Sequence, residues 1–253
     1  MNNGIDKLKP VFSEENQRAW LALLLAWIAG FADAFGFLKL NQIFFSAISG
    51  NMVAVNTSLA RRDWTEVAHR GCPIIFFVTG FFLGTILEKI ASRLHVRRRF
   101  SIALAIEGAL LLIFLLLGQF GMPSQNIASK APTRFYVLVA LLSGAMGIQT
   151  ASLRRVRQGS INTPFVTGML VQAVENIVGA LFNIYDRFRN RLPDAPPDSA
   201  FKAIFFGGLW FCFAVGASCG GLGETLFNFP ALLAPVGALL FIIVCDLRHP
   251  ICD

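Results

Sequence analysis

Apolar residues are gathered into eight long blocks, at about 19–38, 43–60, 73–90, 101–119, 134–153, 161–182, 201–222 and 229–247, separated by short polar or basic stretches. A helix needs about 20 apolar residues to cross ~30 Å of hydrocarbon. Six blocks meet that length and are predicted to be membrane-spanning helices. The second and sixth differ. The second, IFFSAISGNMVAVNTSLA, carries Ser46, Ser49, Asn51, Asn56, Thr57 and Ser58. The sixth, INTPFVTGMLVQAVENIVGALF, carries Asn162, Thr163, Pro164, Thr167, Gln172, Glu175 and Asn176. Both are polar for lipid-facing helices and hold Gly or Pro where the backbone could break, so both are predicted to be broken or re-entrant elements.

Charge between the blocks supports that division. If the second and sixth blocks enter and return on one face, 16 Lys and Arg fall on the inner side and 6 outside; if all eight cross, the division is 13 to 9. A seven-span arrangement with the N-terminus outside gives 14 to 8. Excess cytoplasmic Lys and Arg favours six full spans with both termini cytoplasmic. The expected plan is an all-α integral membrane protein. It has a cytoplasmic tail (1–17), a first membrane repeat (18–120), an external linker (121–133) and a second repeat (134–253).

Composition agrees: 55% of residues are hydrophobic, 15% are charged and mean hydropathy is +0.61. Soluble proteins carry about a quarter charged residues. The net charge of +7 does not point to nucleic acid, because the basic residues form short clusters beside apolar blocks, where they would meet anionic lipid. The five cysteines form no CxxC pair and the three histidines lie far apart, so neither a metal site nor a cofactor is expected. The first block is too long for the core of a signal peptide and lacks a small-residue cleavage site after it.

The two halves share landmarks. Gly30-x-x-Asp33-Ala34 matches Gly147-x-x-Thr150-Ala151. Ile48-Ser49-Gly50-Asn51 matches Val166-Thr167-Gly168-Met169, and Gly80-x-x-x-Gly84 matches Gly216-x-x-x-Gly220. The order is the same in both, which suggests a duplication. With three crossings per half, the second half would be inverted relative to the first, as in many secondary transporters. Through Ala29–Ala34, Ser49-Gly50-Asn51, Val166–Gly168, Gly80–Gly84, Gly147–Ala151 and their spacing, nearly the whole chain resembles the YoaK-type family of bacterial multi-pass membrane proteins. Ser49 stands where that family usually has Thr. The resemblance implies a membrane protein and no assigned activity.

Buried ionisable groups in a membrane usually mark a pathway or a site. Asp33, in the middle of the first block, is the leading candidate, with a structural hydrogen bond as the competing role. Ser49, Gly50, Asn51, Thr167 and Gly168 are candidate backbone breaks, and Gln149 and Thr150 occupy the matching place in the second half. Glu175 and Asn176 could line a cavity or form the wet face of an amphipathic helix. Glu107 is expected to reach back toward Arg97, Arg98 and Arg99. Gly80, Gly84, Gly216 and Gly220 are expected to pack helices closely. No nucleophile, metal-ligand or phosphate-loop motif argues for an enzyme. The resulting expectation is a bacterial inner-membrane transporter of an unidentified small solute or ion. It would contact the lipid bilayer, with anionic lipid at its Arg clusters. A non-transporting scaffold or lipid-binding protein is the alternative, and an intramembrane enzyme the distant one.

Overall fold

A computed structural model of the chain describes residues 14–96, 98–121, 132–156, 165–189 and 199–248. These form α1 (Glu14–Lys39), α2 (Ile48–Ala60), α3 (Trp64–Arg93), α4 (Arg99–Gly121), α5 (Pro132–Val156), α6 (Phe165–Phe188), α7 (Ser199–Phe227) and α8 (Leu233–Arg248), with a 3₁₀ turn at Phe229–Leu232 before α8. Seven of these regions are long and apolar enough to cross a bilayer; α2, at 13 residues, is the exception. The fold is therefore an all-helical integral membrane protein.

The sixth block departs from expectation. Thr167 and Gly168 lie in the first turns of α6, an unbroken helix of 24 residues, so there is no break at that pair. The segment ahead of it, with Asn162, Thr163 and Pro164, lies outside the described residues. Most of the expected linker at 121–133, and residues 190–198 with Pro193, Pro196 and Pro197, also lie outside them.

Two helices occupy the centre. In the most apolar windows of α1 and α5, 67% of residues are buried within the protein, against 17–39% for the other long helices. The remaining helices turn large apolar side chains outward, such as Phe82 of α3, Leu117 of α4, Phe211 of α7 and Phe241 of α8. In water such surface would drive aggregation; in a bilayer it is the solvated face.

Glycine sets the closest approaches. A β-carbon on Gly30 would lie 2.0 Å from the Phe213 carbonyl oxygen, and one on Gly216 would lie 2.0 Å from that of Trp27. Gly220 meets Phe31 in the same way, so α1 and α7 pack backbone to backbone. In a second seam, Gly80 faces Gly144, Gly147 faces Phe77, and Gly84 faces Ile148 and Ala151, joining α3 to α5. All four glycines expected to pack helices do so. The Gly30 motif meets the Gly216–Gly220 pair, and its counterpart at Gly147 meets the Gly80–Gly84 pair.

These contacts fix helix directions. Trp27 with Gly216, Phe31 with Gly220 and Lys39 with Glu224 (3.4 Å) make α1 and α7 parallel. His69 with Phe135, and Gly80 with Gly144, make α3 and α5 parallel. Arg70 of α3 donates to the Gln42 carbonyl, so α3 starts where α1 ends. Ser101 with Asp246 and Gly118 with Phe229 make α4 and α8 antiparallel. Phe35 packs on Phe114, which places the end of α4 beside the end of α1. Thus α1, α4 and α7 run one way and α3, α5 and α8 the other.

Candidate functional site

Asp33 lies six residues before the end of α1, about 9 Å along the helix at 1.5 Å per residue. After Lys39 the chain turns back through Asn41 and Gln42, both with positive φ (51° and 56°), and rises along α1 to the level of Asp33. There Asp33 accepts four hydrogen bonds. Oδ1 takes the Phe45 and Ser46 amides, both at 2.6 Å. Oδ2 takes the Ser46 hydroxyl and the Ala47 amide, the latter at 3.1 Å. Those amides precede or open α2, whose own N-cap residue, Ala47, supplies no capping side chain. Asp33 is thus an N-terminal cap delivered from another helix. Its negative charge sits at the positive end of the α2 dipole.

The rest of the motif holds the same loop. Asn51 accepts from the Phe44 amide (3.1 Å) and donates through Nδ2 to the Phe44 carbonyl (2.6 Å). Gly50 leaves room for the Phe44 ring, which would be 2.8 Å from a β-carbon there; Gly36 does the same for Phe45, at 2.3 Å. Gly50 and Asn51 are therefore helical residues that seat a loop, and the irregular backbone lies at 40–47. Ser49 is exposed; the hydroxyl that meets Asp33 belongs to Ser46. The residues singled out around Asp33 form a closed clamp with its lone pairs occupied.

The matching place in the second half is built differently. Thr150 turns its hydroxyl to the Met146 carbonyl of its own helix (2.8 Å). Its neighbour Gln149 is 2% exposed and donates through Nε2 to Oε1 of Glu107 at 2.9 Å. Glu107 has no exposed surface, and its second oxygen, Oε2, has no hydrogen-bond partner. Glu107 bonds to Gln149 rather than reaching toward Arg98 or Arg99, and Arg97 lies outside the described residues. On α4 the buried residues Phe100, Leu104, Glu107, Leu111, Phe114 and Gly118 form one stripe at helical spacing, flanked by buried Ser101 and Leu115. Glu107 occupies a core position in that stripe and points inward, away from the basic end. That periodicity was the signal available in the sequence.

The remaining candidates do not join this pair. Thr167 and Glu175 are exposed, and Gly168 is buried in the first turns of α6. Asn176 is half-buried, with its amide donating to the Gln172 carbonyl at 2.7 Å. The inward side of α6 is limited to Gly168, Met169 and Ala173 near its start; beyond Asn176 it shows mostly exposed apolar side chains.

Comparison with known proteins agrees with the expected resemblance. The UPF0700 transmembrane protein YoaK of Bacillus subtilis (strain 168) is 26% identical over 219 residues, covering 87% of this chain and 89% of that protein. No solved structure matches. The family described as "Protein of unknown function (DUF1275)" matches residues 21–245, which is nearly all of the membrane-embedded chain. With its multi-pass helical fold and that match, the chain belongs to this family of transmembrane proteins.

Proposed function

We propose that this protein transports a small solute or ion across the cytoplasmic membrane of a bacterium, through a bundle of two inverted halves whose polar centre is Glu107 with Gln149. The observation that carries this reading is Glu107 itself: a carboxylate wholly enclosed by the bundle, with one oxygen bonded and the other open. Such a group is expensive to keep in hydrocarbon unless it has work to do. Asp33 is assigned a framework role, because its four donors leave nothing to offer a ligand.

Helix directions and the matched glycine seams support the inverted arrangement. The paired motifs lie on α1 and α5, which run in opposite senses, and each motif packs against the helix that carries the other half's small-residue pair. In this reading six helices cross. α2 begins at the depth of Asp33 and returns to the face it came from. α6 also begins and ends on one face, because α5 ends and α7 starts at the same end of the bundle. This arrangement collects 16 of the 22 Lys and Arg on the side that holds both termini, which makes that side cytoplasmic.

The competing reading is a lipid-binding or scaffold protein in which the small residues only pack helices. The helix-packing seams favour it, since they account for the matched Gly30 and Gly147 and for both small-residue pairs, Gly80–Gly84 and Gly216–Gly220. Currents from proteoliposomes on a solid-supported membrane separate the two, using a panel of amino acids, sugars, organic acids and inorganic ions. Transport requires a solute-evoked current that Glu107→Gln abolishes. Silence across the panel favours the scaffold, and a current indifferent to that substitution removes Glu107 from the centre of the pathway.

A further inference from the structure

A crevice enters the bundle between α3, α4 and α5, at the end where α4 begins and α5 finishes. Gly84 and Glu88 line it from α3, Arg99 and Ala103 from α4, and Ser152 from α5, with room for about one water molecule. Its inner residues lie one helical turn from the buried pair: Ala103 is four residues before Glu107, and Ser152 three residues after Gln149. Residues at those separations share a helix face. The crevice therefore ends about one helical turn short of the buried pair on the α4–α5 seam, with Glu107 about 12 Å from the start of α4.

We infer that Glu107 takes up and releases a proton, delivered from the side bearing both termini through this crevice. The inference rests on the transport reading of the same site, for which it names the coupling ion. When the seam admits water across the one turn between the crevice and the pair, a hydronium ion in contact with Oε2 passes it a proton, forming one O–H bond and leaving water and a neutral carboxyl group. The Gln149 hydrogen bond to Oε1 persists through the exchange. Release reverses the step.

The surroundings select a proton over a metal ion. Monatomic cations need several oxygen ligands at once. Among the described residues no group of three His, Cys, Asp or Glu side chains gathers anywhere, and Glu107 has Gln149 as its hydrogen-bond partner. A proton needs a single acceptor atom. The other groups on the elements packed against α4 do not compete for that atom. Gln149 of α5 is neutral. Asp246 of α8 accepts from Ser101, six residues nearer the helix end than Glu107. Glu88 of α3 and Arg99 of α4 stand at the crevice mouth, and the 3₁₀ turn Phe229–Leu232 has no ionisable side chain. A purely structural role would be served by an apolar residue at this position of the stripe, without an unpaired acceptor.

Infrared difference spectroscopy on the full chain in liposomes, with no solute added, tests the inference. Lowering the pH should raise a carboxylic-acid C=O band that is lost in Glu107→Gln, retained in Asp246→Asn, and shifted in frequency in Gln149→Leu. Filling the crevice with Ser152→Trp should slow the band's appearance after a pH jump. A spectrum unchanged by Glu107→Gln overturns the proposal, as does a Glu107 band whose rate ignores the filled crevice. The two readings can fail separately. A Glu107 band without any solute current leaves the proton site standing and removes transport. A Glu107-dependent current without the band removes the proton.

Discussion

Asp33 in α1 and Glu107 in α4 are both carboxylates set in apolar helices near the middle of the bundle, with 4% and 0% of their surface exposed. Asp33 is surrounded by donors: three amides and a hydroxyl close on its two oxygens. Glu107 meets one amide, from Gln149, and keeps an oxygen without a partner. Burial alone therefore does not identify a working carboxylate. The number of unused lone pairs separates a charge that holds the fold from one that can still act.

Substitutions should sort the two regions by size of effect. Asp33→Ala removes the acceptor for four donors, each buried or half-buried; leaving such groups unsatisfied should destabilise the protein by at least about 3 kcal/mol. Denaturant titration in mixed micelles measures this, and a loss no larger than that of an exposed control would remove the clamp. Next come the seams. Gly216→Leu and Gly80→Leu place side chains where a β-carbon already meets a carbonyl oxygen at 2.0 and 2.3 Å. Overpacking of this kind should cost about 2–3 kcal/mol by the same titration. If either variant is as stable as the wild type, the backbone-to-backbone contact is wrong.

Asn51→Ala breaks the two-way bond with Phe44 but leaves Asp33 in place. Its expected loss is smaller, about 1–2 kcal/mol, with faster proteolysis confined to residues 40–47 as the accompanying sign. Smallest is Glu107→Gln, which keeps shape and hydrogen bonding to Gln149 while removing a charge. Its stability should lie within about 1 kcal/mol of the wild type or above it, since buried charges are often replaced by neutral groups without loss. A large fall would make Glu107 a second structural anchor and erase the contrast.

Much of this architecture was legible in the apolar blocks, because all of the described helical regions except the short α2 carry the length and hydropathy that a bilayer demands. Small-residue pairs were legible for the same reason, since only Gly permits the approach seen at Gly30 and Gly216. Asp33 and a structural hydrogen bond as one of its two roles are legible in the sequence, but its donors are not: they come from residues 45–47, and nothing in local spacing says that the chain doubles back to meet them. The repeat spacing points to Ser49, whereas the path of the loop, which that spacing does not encode, brings the Ser46 hydroxyl to Asp33. Glu107 was misread through its distance from Arg97–Arg99 in sequence. Helical phase, which sets it in line with Leu104 and Leu111, outweighs that proximity. The unbroken α6 defeated the expectation of a break at Thr167–Gly168, because one Gly among helix formers costs only about 1 kcal/mol.

The contrast between the two carboxylates is tested most directly by the melting temperatures of Asp33→Asn and Glu107→Gln, measured side by side in one detergent. Asparagine at position 33 turns an NH₂ group toward donors that need an acceptor, whereas glutamine at position 107 only discharges an open oxygen. The account predicts a clear fall for Asp33→Asn and an unchanged or higher value for Glu107→Gln. A fall in Glu107→Gln equal to or greater than that in Asp33→Asn would contradict it.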